Sequence, residues 1–363
     1  MSDNRTRYRA IRTGLMQIYP KQLTGRMLQR MNVLAMFVSG IVGSGKTQNR
    51  QVAKKAPTRA KSESRSKQLS RWYQNEENRY EIYYLPFIES LLAHLAGLPL
   101  VISMDGSEVG RGCMTMMVSL IYQKRAIPLI WTVLDRPKGH LSAQEHITLL
   151  KRLRALLPEE TQVILLGDGE FDSLELQSYL TQQQWHYVCR TAKDTWVCKE
   201  GEWFQLDDCA MPDLCLGLEE VRFTEQAYGP VIVVIWWDKE HRTPIFLVSN
   251  MELTDEVCYW YRRRMRIETF FSDQKSRGFH LHKSHVDDPA RLSRILIAAC
   301  LAYIWIVFLG TFAHQQGLVS LIHRTDRCDL SLFQIGLDWL EHCLNEMLPI
   351  PVSFTLPSEF LFA

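Results

Sequence analysis

The spacing of hydrophobic positions changes three times along the chain. Over residues 1–95 they recur about every 3.6 residues, the period of amphipathic helices. This predicts a helix over 21–39, broken by Gly40, Gly43 and Gly45. A short basic helix is expected over 47–55, stopped by Pro57, and a third over 63–75. From Pro99 the texture becomes short continuous apolar runs, which read as buried strands over 100–104, 113–122 and 126–134. Gly110 and Gly112 separate the first two, and Gln123-Lys124-Arg125 the next two, as in an antiparallel meander. A helix over 143–157, a strand over 162–166, a helix over 173–184 and a strand over 185–190 follow. Together they imply an α/β arrangement, a mixed sheet with helices packed on it. Residues 193–250 read as a β-rich insertion, with strands over 231–237 and 245–248. Helical spacing resumes over 259–276 and 295–313. It continues through 318–363, which ends in Phe360-Leu361-Phe362. The expected organisation is thus a helical region (1–95), a core in two pieces (96–192 and 251–315), the insertion, and a C-terminal helical region (316–363).

Residues 295–313 carry no charge and are long enough to span a bilayer. No second such segment exists in the sequence, so the expectation is a buried core helix and no membrane. The composition, 46% hydrophobic and 23% charged, excludes a disordered or collagen-like chain. The net charge of +2 conceals an asymmetry. Residues 1–75 hold 16 Lys and Arg against two acids, Asp3 and Glu63, whereas the remainder carries a net −12. A basic head on an acidic body suits a polyanion-binding region joined to one that needs carboxylates. Nine dispersed cysteines without a C-x-x-C pair read as free thiols of a reducing cytoplasm. An apolar segment followed by a small-residue cleavage site is missing from the N-terminus, which argues against secretion.

Candidate chemistry comes from three places. Asp105 and Asp168 each end an apolar strand-like run and are each followed by glycine, so both carboxylates are expected at a sheet rim open to a hard cation. Turn chemistry alone explains such Asp-Gly pairs about as well. Glu108, Glu170 and Asp172 lie close by, while His140 and His186 have no cluster partners in the sequence. On a continuous helix at about 100° per residue, Tyr261, Arg264, Glu268 and Lys275 share an arc of ~60°. One acid flanked by two cations and a phenol fits a metal-bound carboxylate beside gripped phosphates; a solvated Arg264/Glu268 pair is the plainer alternative. In the basic head, two helices around a glycine turn fit a helix-turn-helix placement, and Lys67 and Arg71 are candidate phosphate contacts. Finally, Gly40-(four)-Gly45-Lys46-Thr47 matches the phosphate-loop pattern, with the apolar stretch 32–38 as its strand. An ATPase acting on DNA is therefore one alternative, and a non-catalytic DNA-binding protein another.

Tyr-(two)-Arg-(three)-Glu-(six)-Lys, met by Tyr261, Arg264, Glu268 and Lys275, resembles the signature of DDE transposases of bacterial insertion sequences, specifically the insertion sequence four family. Asp105 and Asp168 match that family's two preceding acids in order and context, and residues 64–77 look like its N-terminal region. The resemblance implies a ribonuclease H-like core interrupted by a β-rich insertion. It implies that Asp105, Asp168 and Glu268 hold two Mg²⁺ or Mn²⁺, and that Tyr261, Arg264 and Lys275 grip DNA phosphates. Cleavage through a DNA hairpin is implied as well, with Trp236 and Trp237 as candidates for stacking a flipped base; core packing is the commoner role of such a pair. The implied partners are transposon-end and target DNA, bound by a homodimer in a DNA-associated synaptic complex, for which the C-terminal region is a candidate interface.

Overall fold

Apolar runs become strands or helices here according to whether they can be covered on two faces or one. The computed structural model describes residues 2–19, 23–324, 327–358 and 361. The helical head comprises α1 (Asp3–Ile18), α2 (Gly25–Ser44), α3 (Asn49–Lys54), α4 (Ser62–Gln74), α5 (Tyr80–Tyr83) and α6 (Leu85–His94). Then follow β1 (Leu100–Glu108), β2 (Met114–Tyr122), β3 (Arg125–Leu134), α7 (Ala143–Arg154), β4 (Val163–Gly167), α8 (Leu174–Gln182) and β5 (His186–Arg190). The β-rich stretch supplies β6 (Trp196–Lys199), β7 (Glu202–Gln205), β8 (Leu214–Phe223), β9 (Tyr228–Trp237) and β10 (Ile245–Ser249). Last come α9 (Thr254–Tyr261), α10 (Arg266–Gln274), α11 (Pro289–Gln315) and α12 (Leu332–Asn345).

Among the described residues the strands form one ten-stranded sheet, in the order β3-β2-β1-β4-β5-β10-β9-β8-β6-β7. The first three strands are the expected antiparallel meander, and β1–β4 and β4–β5 are parallel. The insertion does not make a sheet of its own. Strand β10 pairs antiparallel with β5, so β6–β10 extend the same sheet. That pairing covers the edge β5 would otherwise expose, a liability for any unpaired strand.

The glycine segment of the head is helical, which overturns the phosphate-loop reading. Helix α2 runs through Gly40 and Gly43 and stops only at Gly45, whose φ of 60° is left-handed. A phosphate loop needs backbone N–H groups turned toward a ligand, and a helix engages them internally. The stretch 32–38 lies inside α2, so no strand precedes the motif. These glycines serve close packing instead: a Cβ at Gly40 would lie 2.4 Å from Val52, and one at Gly43 2.0 Å from the Arg7 guanidinium. The predicted start of this helix, Lys21, lies outside the described residues. The basic helix expected over 47–55 shrinks to the six residues of α3, which bury Val52 and Ala53.

Helix α11 is long and apolar enough to cross a membrane, yet 94% of its apolar window is buried within the protein. Helix α12 packs along it through Gly310 and Gly336. A Cβ on either would meet a backbone carbonyl of the other helix at 1.9 Å, so only glycine permits this approach. The apolar face of α12 (Leu332, Phe333, Ile335, Trp339, Leu340) is buried in the same core. The helical spacing that made the C-terminal region a candidate interface is therefore satisfied within the chain. Leu361 is buried too, and Phe360 and Phe362 lie outside the described residues.

Helix α10 is tied to the sheet by a buried ion pair, Arg125 Nη1 to Asp273 Oδ2 at 2.6 Å. Burial pushes the Asp273 carboxyl up to about 6 against the pull of Arg125, so desolvation outweighs attraction at this pair. Removing one partner leaves the other charge buried alone. Arg125→Met should cost about 3–5 kcal/mol in equilibrium urea unfolding. The double variant Arg125→Met/Asp273→Leu should recover much of that loss, and an equal or larger cost would show that the pair is not what holds the helix.

Candidate active site

The site begins with register. β1 and β4 pair in parallel from Leu100↔Val163 to Ser103↔Leu166, and β4 ends at Gly167. Asp105 comes two residues after the last of these pairs and Asp168 one residue after the end of β4, and the two carboxyls are close enough to interact electrostatically. Asp105 does not end its own strand, as the apolar run suggested. β2 keeps β1 extended through Asp105↔Met117 and Ser107↔Thr115. Asp105 lies just past the end of its parallel neighbour instead. Alternation then places Ser103, Asp105 and Ser107 on one face of β1.

Asp105 is only 8% exposed, and its Oδ1 accepts the Gly106 N–H at 2.7 Å. Burial and the charge of Asp168 push its carboxyl up to about 6, while Lys138, Arg264 and the Gly106 N–H act in the opposite direction. Lys138 also lowers the pKa of Lys275, behind the larger effect of burial. Sequence spacing gave no sign of Lys138, because it belongs to the irregular segment between β3 and α7.

Asp168 is oriented from behind. Its Oδ1 accepts the Glu170 N–H at 3.0 Å. The Glu170 carboxylate in turn accepts the Leu141 N–H at 2.8 Å and lies 3.2 Å from Nε2 of buried His146. His140, which has no partner in the sequence pattern, approaches the same carboxylate at 3.7 Å. Burial favours the protonated form of Glu170, but the bonds from His146 and Leu141 prevail and hold it below the usual range. Glu170 thus supports Asp168 through the loop backbone. Its neighbour Asp172 is raised by burial, partly offset by Thr191.

The signature segment is not one helix. Between α9 and α10 the chain tightens, with Arg263 N–H bonding Trp260 O and Arg264 N–H bonding Tyr261 O, both at 2.9 Å. These i→i−3 bonds break the helical phase. The reason lies in the buried positions. In an unbroken helix, Val257, Cys258 and Tyr261 would face about 140° away from Ile267, Phe270, Phe271 and Gln274. All seven are buried, so the break re-phases the two halves onto one core. The single ~60° arc expected from spacing is therefore not what gathers the four side chains.

Most of them are brought to the site even so. Tyr261 and Arg264 are buried, and both interact electrostatically with Asp168. Burial raises the Tyr261 phenol, with Arg264 and Arg190 opposing. Burial would lower the Arg264 pKa, but Tyr261, Glu268 and Asp168 prevail and raise it. Nε and Nη1 of Arg264 are buried without a hydrogen-bond partner. Lys275 lies beyond the end of α10, and its Nζ donates to Ser107 Oγ at 2.6 Å, on the same face of β1 as Asp105.

Glu268 is the exception. It is 44% exposed and bonded to Arg264 Nη2 at 2.6 Å. Among the described residues, no group of three or more His, Cys, Asp or Glu is placed to hold a metal ion. The donor chemistry of Asp105 and Asp168 suits a hard divalent cation: two neighbouring oxygen ligands, each raising the cost of charge on the other. Glu268, in this conformation, does not join them.

The remaining candidates sit elsewhere. Trp236 is 2% exposed, donates to Asp238 at 2.8 Å, and carries the Arg262 guanidinium 4.7 Å from its ring centre, leaving no face for a base. Trp237 is half-buried. On α4, Lys67 pairs with Glu63 at 2.9 Å, and Arg71 is exposed.

If Glu170 orients Asp168, Glu170→Ala should slow DNA strand cleavage about 10–100-fold with an unchanged circular dichroism spectrum. Glu170→Gln, which keeps an acceptor for Leu141, should restore most of the rate. Wild-type cleavage by Glu170→Ala would remove the supporting role.

Among solved structures the chain is similar to a piggyBac transposase, seen by cryo-EM in a synaptic complex with hairpin DNA. That likeness has 12% identity and a TM-score of 0.49, over 98% of this chain and 83% of the other. No curated protein matches the sequence. Residues 101–305 match the model of the transposase DDE domain, a stretch that contains Asp105, Asp168 and the whole Tyr261–Lys275 signature. As this is more than half of its length, the chain belongs to the transposase DDE domain family.

Proposed function

We propose that the chain is a cut-and-paste DNA transposase of the bacterial insertion sequence four family, with Asp105 and Asp168 at its catalytic centre. The observation that carries the reading is the parallel pairing of β1 and β4, after which both acids follow closely enough for Asp168 to raise the Asp105 carboxyl. The meander β1–β3 continued by parallel β4 and β5 supports a ribonuclease H-like core. Asp105 and Asp168 would hold Mg²⁺ or Mn²⁺, which supplies charge neutralisation at the attacked phosphate and activates the nucleophile. A full two-ion set would need Glu268 released from Arg264.

The protein's own side chains do the rest. Arg264 has unpartnered N–H groups beside the acids, the donor arrangement a phosphate oxygen takes up. A phosphate bound there competes with Glu268 for the guanidinium, so DNA entry and release of the third carboxylate become one event. Lys275, steadied by Ser107, and Tyr261 grip the strand on either side, and Lys138 adds a cation on the Asp105 side. The basic head, with Lys67 and Arg71, holds the terminal inverted repeats largely through phosphates. Two protomers would bring the element ends together with target DNA. If excision passes through a hairpin, Trp237 is the better placed of the two tryptophans.

Asp105→Asn should abolish nicking of DNA bearing the element ends in Mg²⁺ while end binding, followed by gel shift, survives. Cleavage by that variant would move the chemistry elsewhere. Wild-type protein that binds ends and never cuts them would favour the non-catalytic alternative.

A further inference from the structure

We infer that a cleft among α1, α2 and α4 is a binding site for a short single-stranded segment of DNA. The cleft has a volume of about 800 Å³ and lies in the helical head, where it is lined by Arg5, Arg9, Arg26, Arg30 and Arg71. No Asp or Glu is among its described lining residues. Arg30 lies 3.9 Å from Glu77, whose side chain is largely exposed. Five guanidinium groups around one concavity repel one another, an arrangement that a polyanion stabilises. This inference takes from the proposed function only that the polyanion is DNA.

Shape selects one strand. A cleft of about 800 Å³ is small beside a duplex, whose body is wider than its own ~12 Å major groove. A helix enters a groove of duplex DNA by its convex side; this surface is concave and admits a single backbone. Its floor is fixed, because Trp72 Nε1 donates to Arg30 O at 2.9 Å and thereby seats α4 on α2.

A second observation points to a base as well as phosphates. Asn78 lines the cleft and is 1% exposed. Its amide nitrogen donates to Trp72 O at 2.6 Å, but its Oδ1 is buried with no hydrogen-bond partner. An acceptor so placed cannot be satisfied by phosphate oxygens. It takes an N–H donor, which a base edge offers when the base is unpaired. Arginines on the wall and an amide acceptor on the floor therefore suit a strand whose bases point inward, as in other single-strand grooves. Such segments arise wherever strand ends are separated from their complements during cleavage and joining.

The test uses the full chain carrying Asp105→Asn, so that bound DNA stays intact. Its partners are a fluorescein-labelled single strand of mixed sequence and the duplex of that sequence, read by anisotropy over a range of salt. Arg5→Glu/Arg26→Glu, both exposed positions, should weaken single-strand binding at least about tenfold and reduce its log–log salt slope by about 1.4, for two lost phosphate contacts. Far-UV circular dichroism should be unchanged. Unchanged single-strand affinity and slope in a folded double variant would overturn the inference, as would a loss confined to duplex. Nicking by the chain with native Asp105, assayed separately, reports on the proposed function alone.

Discussion

Four residue pairs between β1 and β4 carry the proposed catalytic arrangement. Because the pairing is parallel, the two strands run the same way, and the two acids that follow it emerge as neighbours. The cost is electrostatic: two carboxylates this close raise each other's energy, and burial adds to it at Asp105. The rest of the site offsets that cost with cations drawn from three separate elements, Lys138 after β3, Arg264 between α9 and α10, and Lys275 beyond α10.

These cations also define the resting state. Arg264 is shared between Glu268, to which it is bonded, and Asp168, which it approaches electrostatically. A charge-assisted bond of this kind is strong, but it is exchangeable for another oxyanion. In the function proposed for this chain, the third acid is stored on the residue that a DNA phosphate would claim. Two guanidinium nitrogens are buried without partners, and the Glu268 side chain is 44% exposed.

The scaffold around the site is built to resist movement. Buried Arg125–Asp273 ties α10 to β3, Glu170 and His146 tie the Asp168 loop to α7, and α11 fills the core with almost no polar surface. The β-rich insertion joins by extending the sheet through β10, which makes it continuous with the catalytic strands. Trp236 is consequently covered by the packing of the sheet, whereas Trp196 and Trp203, toward its far edge, stay exposed.

Much of this was legible in residue order. Apolar runs marked β1 to β5, α7 and α8 to within a few positions, since buried strands and one-sided helices impose different periods. Asp105, Asp168 and the Tyr261–Lys275 spacing pointed to the family, because a sequence records which side chains are present and how far apart along the chain. It could not record phase. The break after Tyr261 exists because two apolar stripes must face one core, a demand made by α11 and the sheet rather than by the segment itself. The same holds for Gly40 and Gly43: the segment is helical, and its glycines are there because Val52 and Arg7 leave no room for a Cβ. Lys138, His146 and Asn78 were silent in the sequence, and Glu170 was visible only as a neighbour of Asp168, for a related reason: their roles depend on neighbours supplied by other elements, and only the folded chain decides which side chains become neighbours.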